Sequence, residues 1–228
     1  MPDIQLNAAN LKEHLRKYFV IYAVVIALCA LLTNLLWLTT RPRVPSDKAV
    51  LFYLADSALD VTPLNELAPD VLSQLQAEGR DVRDVSFEGL LFADPETDYT
   101  GSMLLMTRLA TGEGDVFFAG QDAMDALLRA GALLPLDDIV AGGWLAEYGL
   151  EPCYAETTDE ETGETTSFLA GLRLDPMDRL IELNAFQNRG AYLALPYPGE
   201  NLEDTLRATE IVFEKLTEAP HAGTDGAE

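Results

Sequence analysis

Only two histidines stand in this 228-residue chain, and their placement excludes most site chemistry. His14 stands before a long apolar segment and His221 in a small, polar terminal stretch. No Ser–His–Asp or Cys–His arrangement and no His-based metal site can therefore form between them. Thr111-Gly-Glu-Gly-Asp115 ends a helical pattern where a phosphate loop would start one, and it lacks the lysine. Asp94-x-Glu96-x-Asp98 has the alternate spacing of a calcium loop, but its glycine falls at 101 and no glutamate stands at the bidentate position. It reads as a solvated acidic loop, and Asp159-Glu160-Glu161 as a solvated turn. Carboxylates are numerous enough that a hydrolase built on an acid pair is the enzyme alternative, and it would require two convergent acids with raised pKa values. The expectation is a protein that is not an enzyme, with no catalytic residue, no metal and no cofactor.

Binding chemistry is the remaining option, and the elements that would carry it are legible. Ala49-Val-Leu-Phe-Tyr-Leu54 is a continuous apolar run ending at Asp56-Ser57, as in a buried central strand. Thr62-Pro63 opens a helix, or Pro69 opens its main turn; Leu67, Val71, Leu72 and Leu75 make its stripe and Gly79 stops it. Val82 to Ala93 reads as a second strand, Gly101 to Thr111 as a helix stopped by Gly112, and Asp115 to Ala119 as a third strand. A helix from Gln121 to Ala130 follows, stopped by Gly131. Cys153 to Thr158 and Thr165 to Ala170 flank a hairpin turn, and Gly190 to Leu195 is another strand. Asn201 caps a last helix, with Glu203 and Asp204 in its first turn, Lys215 near its end, and Leu202, Leu206, Thr209, Phe213 and Leu216 on one face. This order predicts an α/β domain with a mostly parallel sheet and an antiparallel hairpin. A doubly wound sheet opens a crevice at its strand ends, which selects Asp56, Ser57, Gln121 and Asp122 as candidate ligand-binding residues. A turn role is the plainer assignment for Asp56. Trp144 and Tyr148, at helical spacing after Gly142-Gly143, read as core, and Arg173, Arg179 and Arg189 as local ion pairs.

Charge and hydropathy divide the chain. Residues 1–43 carry five basic and two acidic side chains; residues 44–228 carry 10 basic and 36 acidic, a net of −26. So acidic a domain disfavours nucleic acid and is repelled by anionic headgroups. Tyr18 to Leu38 holds 21 uncharged residues with Asn34 as the only strongly polar one, spanning about 30 Å as a helix. Tyr18, Tyr22 and Trp37 stand near its ends, where amphipathic rings favour the interface. Trp37-Leu38-Thr39-Thr40 is no small-x-small cleavage site, and Leu28 occupies the small position of a lipoprotein box at Ile26–Cys29. An uncleaved anchor in the cell membrane is expected. Lys12, Arg16 and Lys17 balance Arg41, Arg43 and Lys48, so charge leaves the orientation open. A short tail before a large domain fits a signal anchor, with the domain extracytoplasmic. The expected organisation is a cytoplasmic tail (1–17), a transmembrane helix (18–39), a linker (40–47), the α/β domain (48–218) and a disordered tail (219–228). Cys29 and Cys153 fall on different sides of that division and are not expected to pair.

Leu109-Ala-Thr-Gly-Glu-Gly-Asp-Val-Phe-Phe118 and Leu127-Leu-Arg-Ala-Gly-Ala-Leu-Leu-Pro-Leu-Asp-Asp138 resemble stretches of bacterial extracellular solute-binding proteins. Tyr192-Leu-Ala-Leu-Pro196 and the helix from Asn201 are similar to that family's closing strand and helix. The chain has length for about one lobe plus a hairpin, where full members have two. The resemblance implies a noncatalytic, membrane-tethered domain that binds a small solute or a cell-surface partner. The alternative is a degenerate lobe acting purely as a protein–protein interaction or assembly module.

Overall fold

The chain divides into two units, Met1–Arg43 and Val44–Glu228. The computed structural model describes residues 8–40, 44–92, 99–158, 163–183, 185–186, 190–197 and 201–218. The predicted acidic loop at 94–98, the turn at 159–161, Arg41 to Arg43, Arg189 and the tail at 219–228 lie outside the described residues.

The first unit is one helix, α1 (Ala8–Thr40). No glycine or proline interrupts it, and at ~1.5 Å per residue its 33 residues reach about 50 Å. Its stretch Arg16–Asn34 is long and apolar enough to cross a membrane. Phe19, Ile26 and Leu31 project outward uncovered by protein, while the Thr33 hydroxyl donates to the Cys29 carbonyl at 2.8 Å. That bond satisfies the hydroxyl within the helix itself.

In the second unit, β1 (Ala49–Asp56), β2 (Asp84–Leu91), β3 (Val116–Ala119), β4 (Glu151–Thr158), β5 (Thr165–Arg173) and β6 (Tyr192–Ala194) form one six-stranded sheet in the order β2-β1-β3-β6-β5-β4. β1 pairs in parallel with both β2 and β3, joined by α2 (Thr62–Ala77) and α3 (Tyr99–Ala110). The other three pairings are antiparallel. The expected mostly parallel sheet is therefore antiparallel at three of its five pairings. The hairpin β4–β5 is not an appendage, because β6 inserts between β3 and β5 and makes it continuous with the parallel half. Gly171 permits that insertion: a Cβ there would meet the Leu193 carbonyl at 2.7 Å.

Both sheet faces are covered. On one, α2 and, after the short helices α5 (Asp137–Ala141) and α6 (Asp178–Glu182), the last helix α7 (Leu202–Thr217) pack over Phe52, Leu54, Phe87 and Phe118, with Phe52 stacked on Phe87 at 4.7 Å and Phe118 edge-on to Phe213 at 6.3 Å. On the other, α3 and α4 (Gln121–Ala130) cover Tyr53, Ala55, Phe117 and Ala119. Burial on both faces explains why β1 reads as an unbroken apolar run. Gly79, Gly112 and Gly131 each follow a helix with positive φ, in line with their reading as helix stops.

Of the two openings expected for α2, the one at Thr62-Pro63 is observed, and two other local expectations change. α2 begins at Thr62 and runs through Pro69. The residue one turn earlier, Asn65, turns its amide to edge strand β2, donating to the Phe87 carbonyl at 2.8 Å and accepting from the Phe87 N–H at 3.0 Å, which closes part of an otherwise open edge. Asn201 occupies the N-cap of α7 but makes no capping bond; its Nδ2 donates instead to the Ala49 carbonyl at 2.7 Å and ties the helix to the start of β1. Trp144 and Tyr148 are core as predicted, but not on an α-helix: a turn and a 3-10 segment (Ala146–Tyr148) carry them. Trp144 Nε1 donates to the Leu206 carbonyl at 3.3 Å, and Tyr148 lies edge-on to Phe213 at 5.2 Å.

Asp115 couples β3 to β1. Its backbone N–H donates to the Leu51 carbonyl at 2.9 Å and its carboxylate accepts from the Leu51 N–H at 2.8 Å. Burial pushes its pKa from 3.8 up to about 6, and the Leu51 hydrogen bond only partly offsets this. The native carboxyl thus holds its proton to a higher pH than the unfolded one, so stability falls as pH rises from about 4 through about 6. Asp115→Asn keeps the acceptor without the charge. It should raise stability by roughly 1–3 kcal/mol at about pH 8 and by almost nothing at about pH 3, below both pKa values, measured by denaturant unfolding of the detergent-solubilised protein.

Candidate functional site

Strand pairing aligns three residues in a row at one end of the sheet. Ala119 of β3 faces Tyr192 of β6, and Tyr192 faces Arg173 of β5. One residue beyond the row on the β1 side come Asp56 and, after β3, Gly120. These groups surround an open cavity of about 370 Å³ whose lining includes all four candidate residues, Asp56, Ser57, Gln121 and Asp122. Gly120, Arg173 and Tyr192 complete its polar wall, with Gly190 and Ala191 behind them. It lies where β1 leads to one side of the sheet and β3 to the other, the reversal at which open α/β sheets present a crevice.

Each side chain is held by a local contact. Asp56 Oδ1 accepts from the Ser57 N–H at 2.6 Å, the turn role expected of it, and among the described residues Oδ2 has no hydrogen-bond partner. Gly120 sits so close that a Cβ would meet the Asp56 carboxylate at 2.9 Å. Its N–H donates to the Ala55 carbonyl at 2.8 Å, so the chain leaves β3 against the end of β1 and enters α4 at once. Gln121 bridges two elements: Nε2 donates to Asp125 at 2.9 Å, while Oε1 accepts from the Tyr192 hydroxyl at 2.7 Å. Burial pushes the Tyr192 phenol up, and it stays a neutral donor near neutral pH. Arg173 pairs with Asp175 at 2.6 Å and lies 5.8 Å from the Tyr192 ring centre.

Sequence pattern does not select Arg173 and Tyr192 as ligand-facing. The reading of Arg173 as a local ion pair agrees with its contact to Asp175, as that of Arg179 does with its contact to Glu182 at 2.9 Å. Only the placement of β6 beside β3 brings Arg173 and Tyr192 to Asp56, and nothing in local sequence records that pairing. Pro135-Leu136-Asp137 has a structural role: the Leu136 N–H donates to the Leu169 carbonyl at 2.8 Å, and Asp137 accepts from the Leu169 N–H at 3.0 Å. Cys153 is free and half-buried on β4, its thiol pushed up by burial and so unreactive.

The arrangement is a fixed, mixed-charge, hydrogen-bonding surface without a nucleophile–base pair. Among the described residues no group of three or more His, Cys, Asp or Glu could hold a metal ion. A second cavity, of about 280 Å³ and mainly apolar, lies between the end of α4 and the hairpin, lined by Leu128, Leu133, Ala155 and Phe168. It contains none of the candidate residues. In comparisons with protein-family models, curated proteins and solved structures, nothing matches this chain.

Gly120→Ala should separate site from scaffold. The φ of −64° at Gly120 suits any residue, and the displaced atoms belong to a side chain free to rotate. Stability should stay within about 1 kcal/mol of the parent, while Asp56 swings from its turn, visible as altered exchange of the Ser57 amide in NMR.

Proposed function

We propose that this chain is a noncatalytic, single-pass membrane protein whose second unit, outside the cytoplasm, binds a small polar solute. The observation that carries this reading is the convergence of Asp56, Ser57, Gln121 and Asp122 with Arg173 and Tyr192 on one open cavity. A ligand there would find carboxylates, an amide, a phenol and a guanidinium within one wall. It would be covered from one side only, and less of its surface would be buried than in a two-lobed clamp. Affinity on the order of 10 μM or weaker is the consequence. The resemblance to solute-binding proteins at residues 109–138 supports the same reading, as does the apolar span Arg16–Asn34 for the anchor.

A metabolite screen by thermal shift on the full chain tests binding, since a ligand at 100 times its Kd adds ~2.7 kcal/mol. The expected result is a small shift that Asp56→Ala removes. No shift by any solute, together with co-purification of an envelope protein, would replace this reading with the assembly module.

Protease added to intact protoplasts tests the topology. Residues beyond about 45 should be digested and the N-terminal tail spared, the outcome an uncleaved signal anchor would give. Protection of the second unit would reverse the assigned side.

A further inference from the structure

The open cavity at the strand ends holds more negative charge than its own cation balances. The Arg173 guanidinium pairs with Asp175 at 2.6 Å, and its Nε is buried without a partner, beyond the reach of a ligand in the cavity. Other side-chain donors on the wall are engaged as well. The Tyr192 hydroxyl donates to Gln121 Oε1 at 2.7 Å, and Gln121 Nε2 donates to Asp125 at 2.9 Å. The Ser57 hydroxyl lies 3.3 Å from Asp56 Oδ1, which also accepts the Ser57 N–H at 2.6 Å. What remains is acceptor chemistry. Among the described residues, Asp56 Oδ2 and both oxygens of Asp122 have no hydrogen-bond partner, and neither carboxylate meets a cationic side chain.

The backbone offsets only part of this charge. α4 begins at Gln121 without a side-chain cap, so the positive end of its dipole lies beside the cavity. That end is equivalent to about +0.5 charge, less than either carboxylate, and with Arg173 matched by Asp175 the cavity keeps roughly −1.5. An anionic solute would meet this charge and the field of a unit of net charge −26, whereas a cation is drawn in by both. A neutral polyol would cover two carboxylates and give them no counter-charge, which costs free energy. A metal ion would be short of ligands, since no group of three or more His, Cys, Asp or Glu among the described residues could hold one. A primary ammonium has three donors and no acceptor, which matches the three uncommitted carboxylate oxygens in number and in sign. We propose that the solute of this cavity is a small organic cation, held through a primary ammonium by Asp56 and Asp122. This rests on the solute-binding reading and names the ligand class for the same site.

The test uses the full chain in detergent micelles, with the Ser57 and Asp122 amide signals in NMR as the readout. Three four-carbon probes differ in charge: 4-aminobutan-1-ol, butane-1,4-diol and succinate. The amine should perturb both signals saturably, with a Kd on the order of 1 mM for so small a molecule. Its binding should be at least about tenfold tighter than that of the diol or of succinate. Asp56→Asn and Asp122→Asn should each weaken the amine at least about fivefold, while Asp70→Asn on α2 leaves it unchanged. Neither site substitution threatens the fold, because Asp56→Asn keeps the acceptor for the Ser57 N–H and the Asp122 side chain makes no bond to lose. Equal binding of amine and diol, or tighter binding of succinate, overturns the cation assignment and leaves the solute-binding reading standing. Amine binding that survives both site substitutions is diffuse attraction to an acidic surface, and it overturns the assignment too, as does the absence of any response to the amine. The solute-binding reading itself falls only if solutes of every class fail in the metabolite screen.

Discussion

The structure depends on the burial of the middle of β1 on both its faces. Val50, Phe52 and Leu54 are fully inaccessible, and Tyr53 and Ala55 on the opposite face are almost equally so. A strand apolar on both faces is stable only between two neighbouring strands and two helical layers. β1 gets its neighbours in parallel from β2 and β3, and each parallel connection requires a crossover helix. α2 crosses on one face and α3 on the other, so the first half of the domain follows from the demands of one apolar segment.

A second constraint is the excess of negative charge. The few cations are concentrated where carboxylates from different elements would otherwise repel. Arg207 of α7 reaches Glu78 after α2 at 2.6 Å and pairs with Glu210 and Glu214 on its own helix. Arg80 reaches Asp204 at 2.6 Å and Glu203 at 3.2 Å. Single exposed pairs contribute little, but this network joins the end of α2 to α7 across one face of the sheet. Its guanidiniums bind their protons more tightly than usual because the carboxylates hydrogen-bond to them, and the Glu78 carboxyl is correspondingly held down by Arg207.

The cavity inherits its character from both halves of the sheet. Asp56 and Asp122 come from the parallel half, at a strand end and the first turn of a helix. Arg173 and Tyr192 come from the antiparallel half, so the cavity takes its cation and phenol from elements remote in sequence from its acids. The rigid row Ala119–Tyr192–Arg173 holds the two sides in register. The Tyr192–Gln121 bond ties that row to α4.

Local pattern and special residues determined much of this protein from sequence alone. The apolar span at 18–38, the buried run 49–54, the helix ends at Gly79, Gly112 and Gly131 and the hairpin at 153–170 each follow from periodicity or backbone conformation within about twenty residues. So did the four candidate residues, because the βα order places Asp56 and Gln121 at strand ends. Tertiary structure decided what depends on long-range pairing. Whether β6 joined the sheet beside β3 was invisible to local pattern, since three apolar residues suit many positions equally well. That pairing continued the sheet into its antiparallel strands and put Arg173 and Tyr192 in the cavity. It was also long-range contact, and not helix chemistry, that turned the Asn201 side chain from its cap to the carbonyl of Ala49, 152 residues away in sequence.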